Sequence, residues 1–340
     1  GDHGVYKFLI DGDDIYIGGK YTAVDSDSTH AVLGKFNKTT GDHDTSFQPG
    51  LSYPSCCGGN DAEVRDMALI NDILYVGGYF SSATGSVDRG YLSAYNTTDG
   101  LLTSWAPEAN GRVKQLEYNG TDTLYISGDF GTLNGDDRDY LAAVDLTTGS
   151  TTDWAPSIAA SPGVLLVDDG YLYVGGGFSE INATPREMLA SFKLSDETLT
   201  NWNPNLDDSI SPSQSNVHTL KKDASTIFVG GNFLTAGSTR VFNVGKFGPL
   251  KVQFSSSTWS QSETVTNIPF TISISTGNTS SLPIGVVLNV TGGSATYGVD
   301  YTVSTGTLTI AAGETSTSSA ITVVNDTLFE ADETIVLTLV

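Results

Sequence analysis

The chain has 340 residues, a formal net charge of −23 and 16 Lys and Arg. So acidic a surface repels nucleic acid phosphates and anionic headgroups, which argues against nucleic acid partners. No apolar run approaches the ~18 residues of a membrane span, which argues against membrane insertion. Sparse charge with abundant Gly, Ser, Thr, Asp and Asn excludes long surface helices and favours short strands joined by tight turns, and the length allows two domains.

Aligned on adjacent glycines, residues 1–249 repeat. Ile15-Tyr16-Ile17-Gly18-Gly19-Lys20-Tyr21 returns as Leu74-Tyr75-Val76-Gly77-Gly78-Tyr79-Phe80 and as Leu124-Tyr125-Ile126-Ser127-Gly128-Asp129-Phe130. It returns again as Leu172-Tyr173-Val174-Gly175-Gly176-Gly177-Phe178 and Ile227-Phe228-Val229-Gly230-Gly231-Asn232-Phe233, at spacings of 48 to 59 residues. An apolar strand precedes each run, starting near Val5, Val64, Val113, Val164 and Val217. A second follows it, as in Leu92-Ser93-Ala94-Tyr95 and Leu141-Ala142-Ala143-Val144. A turn then leads to an aromatic-x-Pro corner at Phe47/Pro49, Trp105/Pro107, Trp154/Pro156 and Trp202/Pro204.

Each unit predicts four short antiparallel strands, and a unit of about 40–50 residues is the size of a propeller blade. Glycine lets backbones approach where strands crowd the axis, and Trp and Phe fill the space between blades. The fold class is therefore all-β, a propeller of about five blades over residues 1–249. The fifth unit lacks its aromatic-x-Pro strand and Gly1 begins just before an inner strand, so an upstream segment carrying that outer strand is expected to close the ring. The chain reads as a mature product, an ordered core or a fragment of a larger one. The Leu-Tyr-Val-Gly-Gly-x-Phe runs, the Arg-x-x-Leu after them and the Trp-x-Pro corners resemble the bacterial delta-60 type of extracellular propeller repeat and, more loosely, kelch blades.

Residues 250–340 have another composition, with no Lys or Arg after Lys251. Phe270-Thr271-Ile272-Ser273-Ile274, Val286-Val287-Leu288-Asn289-Val290, Thr307-Leu308-Thr309-Ile310 and Ile335-Val336-Leu337-Thr338-Leu339 alternate as half-buried strands of a β-sandwich. Ala295-Thr296-Tyr297-Gly298-Val299-Asp300-Tyr301-Thr302, Gly306 to Glu314, and Asn325-Asp326-Thr327-Leu328-Phe329-Glu330-Ala331-Asp332-Glu333-Thr334 resemble a Calx-β domain. The resemblance implies one more strand after Val340. It also implies Ca²⁺ as a cofactor, held by Glu263, Asp300, Asp326, Glu330 and Glu333 with Asp332 nearby, a carboxylate set suited to a cation that takes six to eight oxygens. Asn325 stands where the calcium-binding members carry Asp.

On the propeller, the loops between strands two and three and between blades share one face, the usual ligand surface. Asp25, Asp27, Asp136, Asp137, Asp139 and Tyr53 lie on it, and Tyr53 and Tyr91 offer rings on which sugars stack. Arg89, Arg138, Arg186 and Arg240 recur just before strand three, so they are expected to tie loop carbonyls rather than catalyse. Cys56 and Cys57, the sole cysteines, allow a vicinal disulfide, two thiols or a link to another chain. Asn-x-Ser/Thr occurs at Asn37, Asn96, Asn119, Asn182, Asn278, Asn289 and Asn325, the candidates for glycosylation.

No Gly-x-Ser-x-Gly, phosphate loop or paired-histidine motif occurs. The expectation is a non-enzymatic extracellular or cell-surface protein, adhesin-like or a structural subunit, whose partners are other surface proteins or copies of itself. The alternatives are a secreted carbohydrate-binding propeller that takes glycans, and a propeller hydrolase or lyase working through inner-strand carboxylates such as Asp66 and Glu117.

Overall fold

A computed structural model describes residues 4–21, 32–53, 61–207, 216–223, 226–237, 239–247, 252–262, 264–274, 284–304, 306–311, 314–325 and 331–339. Asp25, Asp27, Cys56, Cys57, Glu263, Asn278, Asp326 and Glu330 lie outside the described residues. The residues cluster into two compact units, 1–199 with 213–220 and 230–232, and 200–212 with 221–229 and 233–340.

The protein is all-β, a propeller followed by a β-sandwich. The second repeat shows how a blade forms. Glu63–Ile70 pairs antiparallel with Ile73–Tyr79, which pairs with Leu92–Asn96. The first, third and fourth repeats follow the same order, and Asn216–Asp223, Thr226–Asn232 and Val244–Phe247 form the fifth set. The expected outer strand is contracted to one bridge in each of four repeats: Phe36↔His43, Tyr95↔Leu102, Val144↔Thr151 and Phe192↔Leu199. Proline two residues after the aromatic explains the brevity, because it has no amide to continue a ladder.

Two glycines do different work. A Cβ on the second would lie 2.1 Å from the Gly4, Glu63, Arg112 or Asn216 carbonyl oxygen in repeats one, two, three and five, so only hydrogen fits there. A Cβ on the first would strike the inner-strand valine of the following repeat, Gly18 against Val64 at 2.5 Å, Gly77 against Val113 at 2.5 Å and Gly175 against Val217 at 2.6 Å. Valine in a glycine hole is thus the contact that sets one blade on the next. The second glycine's amide donates to a residue held at positive φ: Gly19 to Val32, Gly78 to Tyr91, Gly128 to Tyr140 and Gly176 to Met188. Such φ values are unusual for bulky side chains, and the amides of Val32, Tyr91, Tyr140 and Met188 hold them there by donating to Tyr21, Phe80, Phe130 and Phe178.

Aromatic wedges complete the packing. Trp154 meets Tyr125 edge-on at 5.1 Å and Phe192 of the next repeat at 5.1 Å, and Phe47 bridges Tyr16 and Tyr95 in the same way. Past each proline the chain crosses to the next repeat, where Ser52↔Ser82, Ala109↔Leu133 and Ile158↔Ile181 bridge to small hairpins.

The sandwich has one sheet in the order Val252–Phe254, Asn267–Ile274, Ser316–Val323, Tyr301–Val303 and another in the order Gly306–Ile310, Ile284–Gly293, Ile335–Leu339. Alternation puts Phe270, Ile272, Ile274, Ile284, Val286 and Leu288 in the core and Ser and Thr outside.

Candidate functional site

The inner strands carry a chain of polar contacts from blade to blade. Asp66, 2% exposed, accepts from its neighbour Met67 at 2.9 Å, pairs with Lys7 of the first repeat at 2.6 Å, and accepts the Leu116 amide of the third repeat at 3.0 Å. Burial raises the Asp66 pKa, while the Lys7 ammonium and the amides oppose that rise. One repeat on, Glu117 Oε1 accepts the Val167 amide at 2.9 Å and Gln115 Oε1 accepts the Leu165 amide. Asp66 and Glu117, the carboxylates that a hydrolase or lyase would draw on, are thus both engaged by amides of the following blade.

Three of the recurrent arginines, Arg89, Arg138 and Arg186, clamp carbonyls, as the spacing led us to expect. Arg89 donates to Asp88 and Thr103 carbonyls at 2.9 and 3.0 Å, Arg138 to Asp137 and Thr152 at 2.8 Å each, and buried Arg186 to Pro185 at 2.8 Å.

One cluster departs from the repeat. Tyr53 follows the second repeat's bridging residue Ser52, Tyr79 follows its second glycine, and Tyr91 occupies its positive-φ position. The corresponding residues after the second glycine elsewhere are Lys20, Asp129, Gly177 and Asn232. Tyr53 stacks on Tyr79 with centroids 4.1 Å apart, and Tyr91 lies 5.9 Å from Tyr79 and 6.4 Å from Tyr53. Arg112 lies 5.0 Å above the Tyr79 ring. Arg112 and Arg65 both pair at 3.0 Å with Glu63, itself 3% exposed, and Arg65 covers Tyr6 at 4.6 Å. A hydrogen bond to Tyr53 holds the Tyr79 phenol up at about 12, so the Tyr79 hydroxyl stays a neutral donor and acceptor. Half-buried rings, phenolic hydroxyls and half-exposed guanidiniums form a surface suited to a polyhydroxylated ligand. The repetition that revealed the blades hid this patch, because its three tyrosines come from separate segments and stand together in the second repeat alone.

The other candidate residues serve turns or stand apart. Asp136 and Asp137 sit exposed on a two-residue strand, where Asp136 accepts from the Thr151 hydroxyl, and Asp139 is exposed. Asn37 and Asn96 cap the turn after strand three, accepting the Thr39 and Thr40 amides and the Thr98 amide. Asn119 caps the turn at Thr121, and Asn182 accepts the Ser157 amide of the preceding segment. Turn chemistry, with Thr two residues on, accounts for these Asn-x-Thr triplets. Asn289 and Asn325 are exposed on the sandwich. Asp300 accepts the Thr296 amide at 2.6 Å, and Asp332 and Glu333 are exposed. Among the described residues, no three His, Cys, Asp or Glu side chains come together as a metal-binding group, and no helix is long and apolar enough to cross a membrane.

Comparison with known proteins agrees with the architecture. The family model "Calx-beta domain" matches residues 248–340, and "Rax2 C-terminal beta propeller domain" matches residues 36–166; neither match bears on the delta-60 or kelch type. No curated protein matches. Solved structures that resemble the chain include the computationally designed Ika8 protein, at 13% identity and a TM-score of 0.41, covering 72% of this chain and 58% of that one. The designed Ika4 protein follows at 14% identity and 0.33, covering 56% and 93%. The WD40 beta propeller domain of Doa1 follows at 10% identity and 0.32, covering 70% and 76%. The chain spans less than two thirds of the length of Ika8. A propeller with a Calx-β domain fits a non-enzymatic surface or structural protein in general.

Proposed function

We propose that the chain is an extracellular surface protein, adhesin-like or a structural subunit, whose partners are other surface proteins or copies of itself. The observation that supports this most is the use of its inner-strand polar groups. Asp66, Gln115 and Glu117 hold amides of the following blade, so the propeller works as a rigid platform. Antibodies raised against the folded protein test the location: labelling of intact source cells is expected, and labelling that needs lysis overturns the reading. Calx-β domains carry a general association with Ca²⁺, and of the carboxylates that the resemblance implies, Asp300, Asp332 and Glu333 are among the described residues. Calcium that fails to raise the melting temperature over a chelator control removes the ion from this proposal.

A second reading, glycan binding, is favoured by the Tyr53–Tyr79–Tyr91 patch beside Arg112. A glycan array probed with the wild type and with Tyr91→Ala tests it. Binding that the substitution weakens about tenfold, as the loss of one stacking ring would, supports it; an array without signal ends it.

A further inference from the structure

The second and third repeats gather charge at a place where other repeats carry little. The residue whose carbonyl oxygen faces the second glycine is Gly4 in the first repeat and Asn216 in the fifth, but Glu63 in the second and Arg112 in the third. Two positions further on stand Arg65 and Lys114. Glu63 and Arg112, equivalent residues of opposite charge, pair across the boundary between their blades, with Glu63 Oε1 3.0 Å from Arg112 Nε. Glu63 also takes Arg65, and its side chain is 4% exposed, whereas that of Arg112 is 37% exposed. Nε is the atom turned to Glu63, so Nη1 and Nη2 of Arg112 have no acceptor among the described residues. Lys114 meets Asp129 and the Ser161 hydroxyl close by. Three cations thus face two carboxylates here, a local positive excess in a chain of net charge −23. The excess adjoins the tyrosine patch, since Arg112 lies over Tyr79.

We propose that this patch selects glycans bearing a carboxylated sugar, whose carboxylate is taken by the free Nη1–Nη2 edge of Arg112 while its ring lies against the tyrosines. The inference rests on the glycan-binding reading and deepens it by naming the class of sugar. Two parallel N–H donors in one plane match the two oxygens of a carboxylate, a fit that an ammonium does not offer. Glu63 holds the guanidinium in place, so little side-chain freedom is lost on binding. The acidity of the remaining surface repels a long polyanion. The ligand is therefore a single uronate or sialate residue in an otherwise neutral glycan, and a continuous run of acidic sugars is disfavoured.

An array that carries uronate- and sialate-terminated glycans, each beside its methyl ester and its neutral counterpart, tests this with the 340-residue chain, Arg112→Met and Arg112→Lys. The wild type is expected to bind the acid about tenfold or more tightly than the ester, which keeps the sugar ring and removes the charge. Arg112→Met keeps an unbranched stem over Tyr79 and is expected to bind acid and ester alike, at the level of the ester. Arg112→Lys keeps the charge without the fork and is expected to fall between the two. A wild type that binds glycans without telling acid from ester overturns the proposal and leaves the glycan reading standing, as does Arg112→Met that keeps the preference. An array without signal ends both. Circular dichroism separates lost binding from lost folding, and the comparison of acid with ester needs the wild type alone, so it decides even where a variant does not fold.

Discussion

Among the described residues, the buried polar and charged side chains are Glu63, Asp66, Ser93, Thr97, Ser127, Asp168, Arg186, Ser191 and Asn203, all in the repeat region. The sandwich buries Phe270, Ile272, Ile274, Val286, Leu288 and Ile321 and leaves Ser and Thr at its surface. The repeats must fix one sheet against the next at a set angle, and directional contacts do that: an amide aimed at a carboxylate, a valine in a glycine hole. The sandwich needs two greasy faces pressed together, and burial without direction suffices. The blade contacts should therefore be intolerant of changes of a single atom where the sandwich strands, away from the bulge at Gly292 and Gly293, are forgiving.

Paired glycine substitutions test that contrast most severely. Gly78→Ala places a methyl 2.1 Å from the Glu63 carbonyl oxygen and 3.0 Å from the Val64 Cα, so backbone has to move; a loss of about 3 kcal/mol or more is expected. Gly285→Ala meets only the Thr307 Cγ2 atom at 3.0 Å on an exposed strand position. There, a change within about 0.5 kcal/mol is expected. Urea denaturation of both variants decides the matter, and equal losses would erase the distinction.

Asp66→Ala comes next. It strands the Leu116 and Met67 amides beside a buried cavity and leaves Lys7 without its partner, for an expected loss of about 3 kcal/mol. Thr271→Ala removes the exposed hydroxyl contact to Ser318 on the sandwich and should shift stability by no more than about 0.5 kcal/mol. A smaller effect follows from Arg138→Met, which releases the Asp137 and Thr152 carbonyls at a cost of about 1–2 kcal/mol. Thermal unfolding that leaves Arg138→Met level with the wild type would make that arginine ornamental.

What could be read from the chain was what recurs. Gly77-Gly78, Tyr75 and Trp105 declare themselves because each returns at a fixed register, and Arg138 reads as a clamp because a catalytic group is seldom repeated. The Asp66 stitch recurs in register but not in residue type: Gln115 stands where Asp66 does, Glu117 lies two residues later, and each partner amide is 50 residues away. The crossing after each proline left a weak trace, an apolar residue at Leu51, Ala109, Ile158 or Leu206, that no count of strands would single out.

The smallest effect concerns acid, and the repeats supply their own control for it. Asp122 is held below the usual carboxylate range by the Asn119 amide and the Thr123 and Thr121 hydroxyls. Asp145 is held there by the amide and hydroxyl of Thr148, with the Thr147 amide, and Asp196 by the hydroxyl and amide of Thr198. A depressed pKa in the folded state means that the unfolded chain binds protons first, so the stabilisation is present above the unfolded value and lost as pH falls through the folded one. Unfolding by urea should thus become easier below about pH 4. Asn37 and Asn96 occupy the turn position of Asp145 and accept the same amides with an oxygen that does not titrate. Asp145→Asn should therefore keep its stability at pH 7 and flatten the acid slope, most visibly when combined with Asp122→Asn and Asp196→Asn. If the triple variant loses stability with acid as steeply as the wild type, the turns are not what acid attacks, and the sensitivity belongs to the buried stitches between the blades.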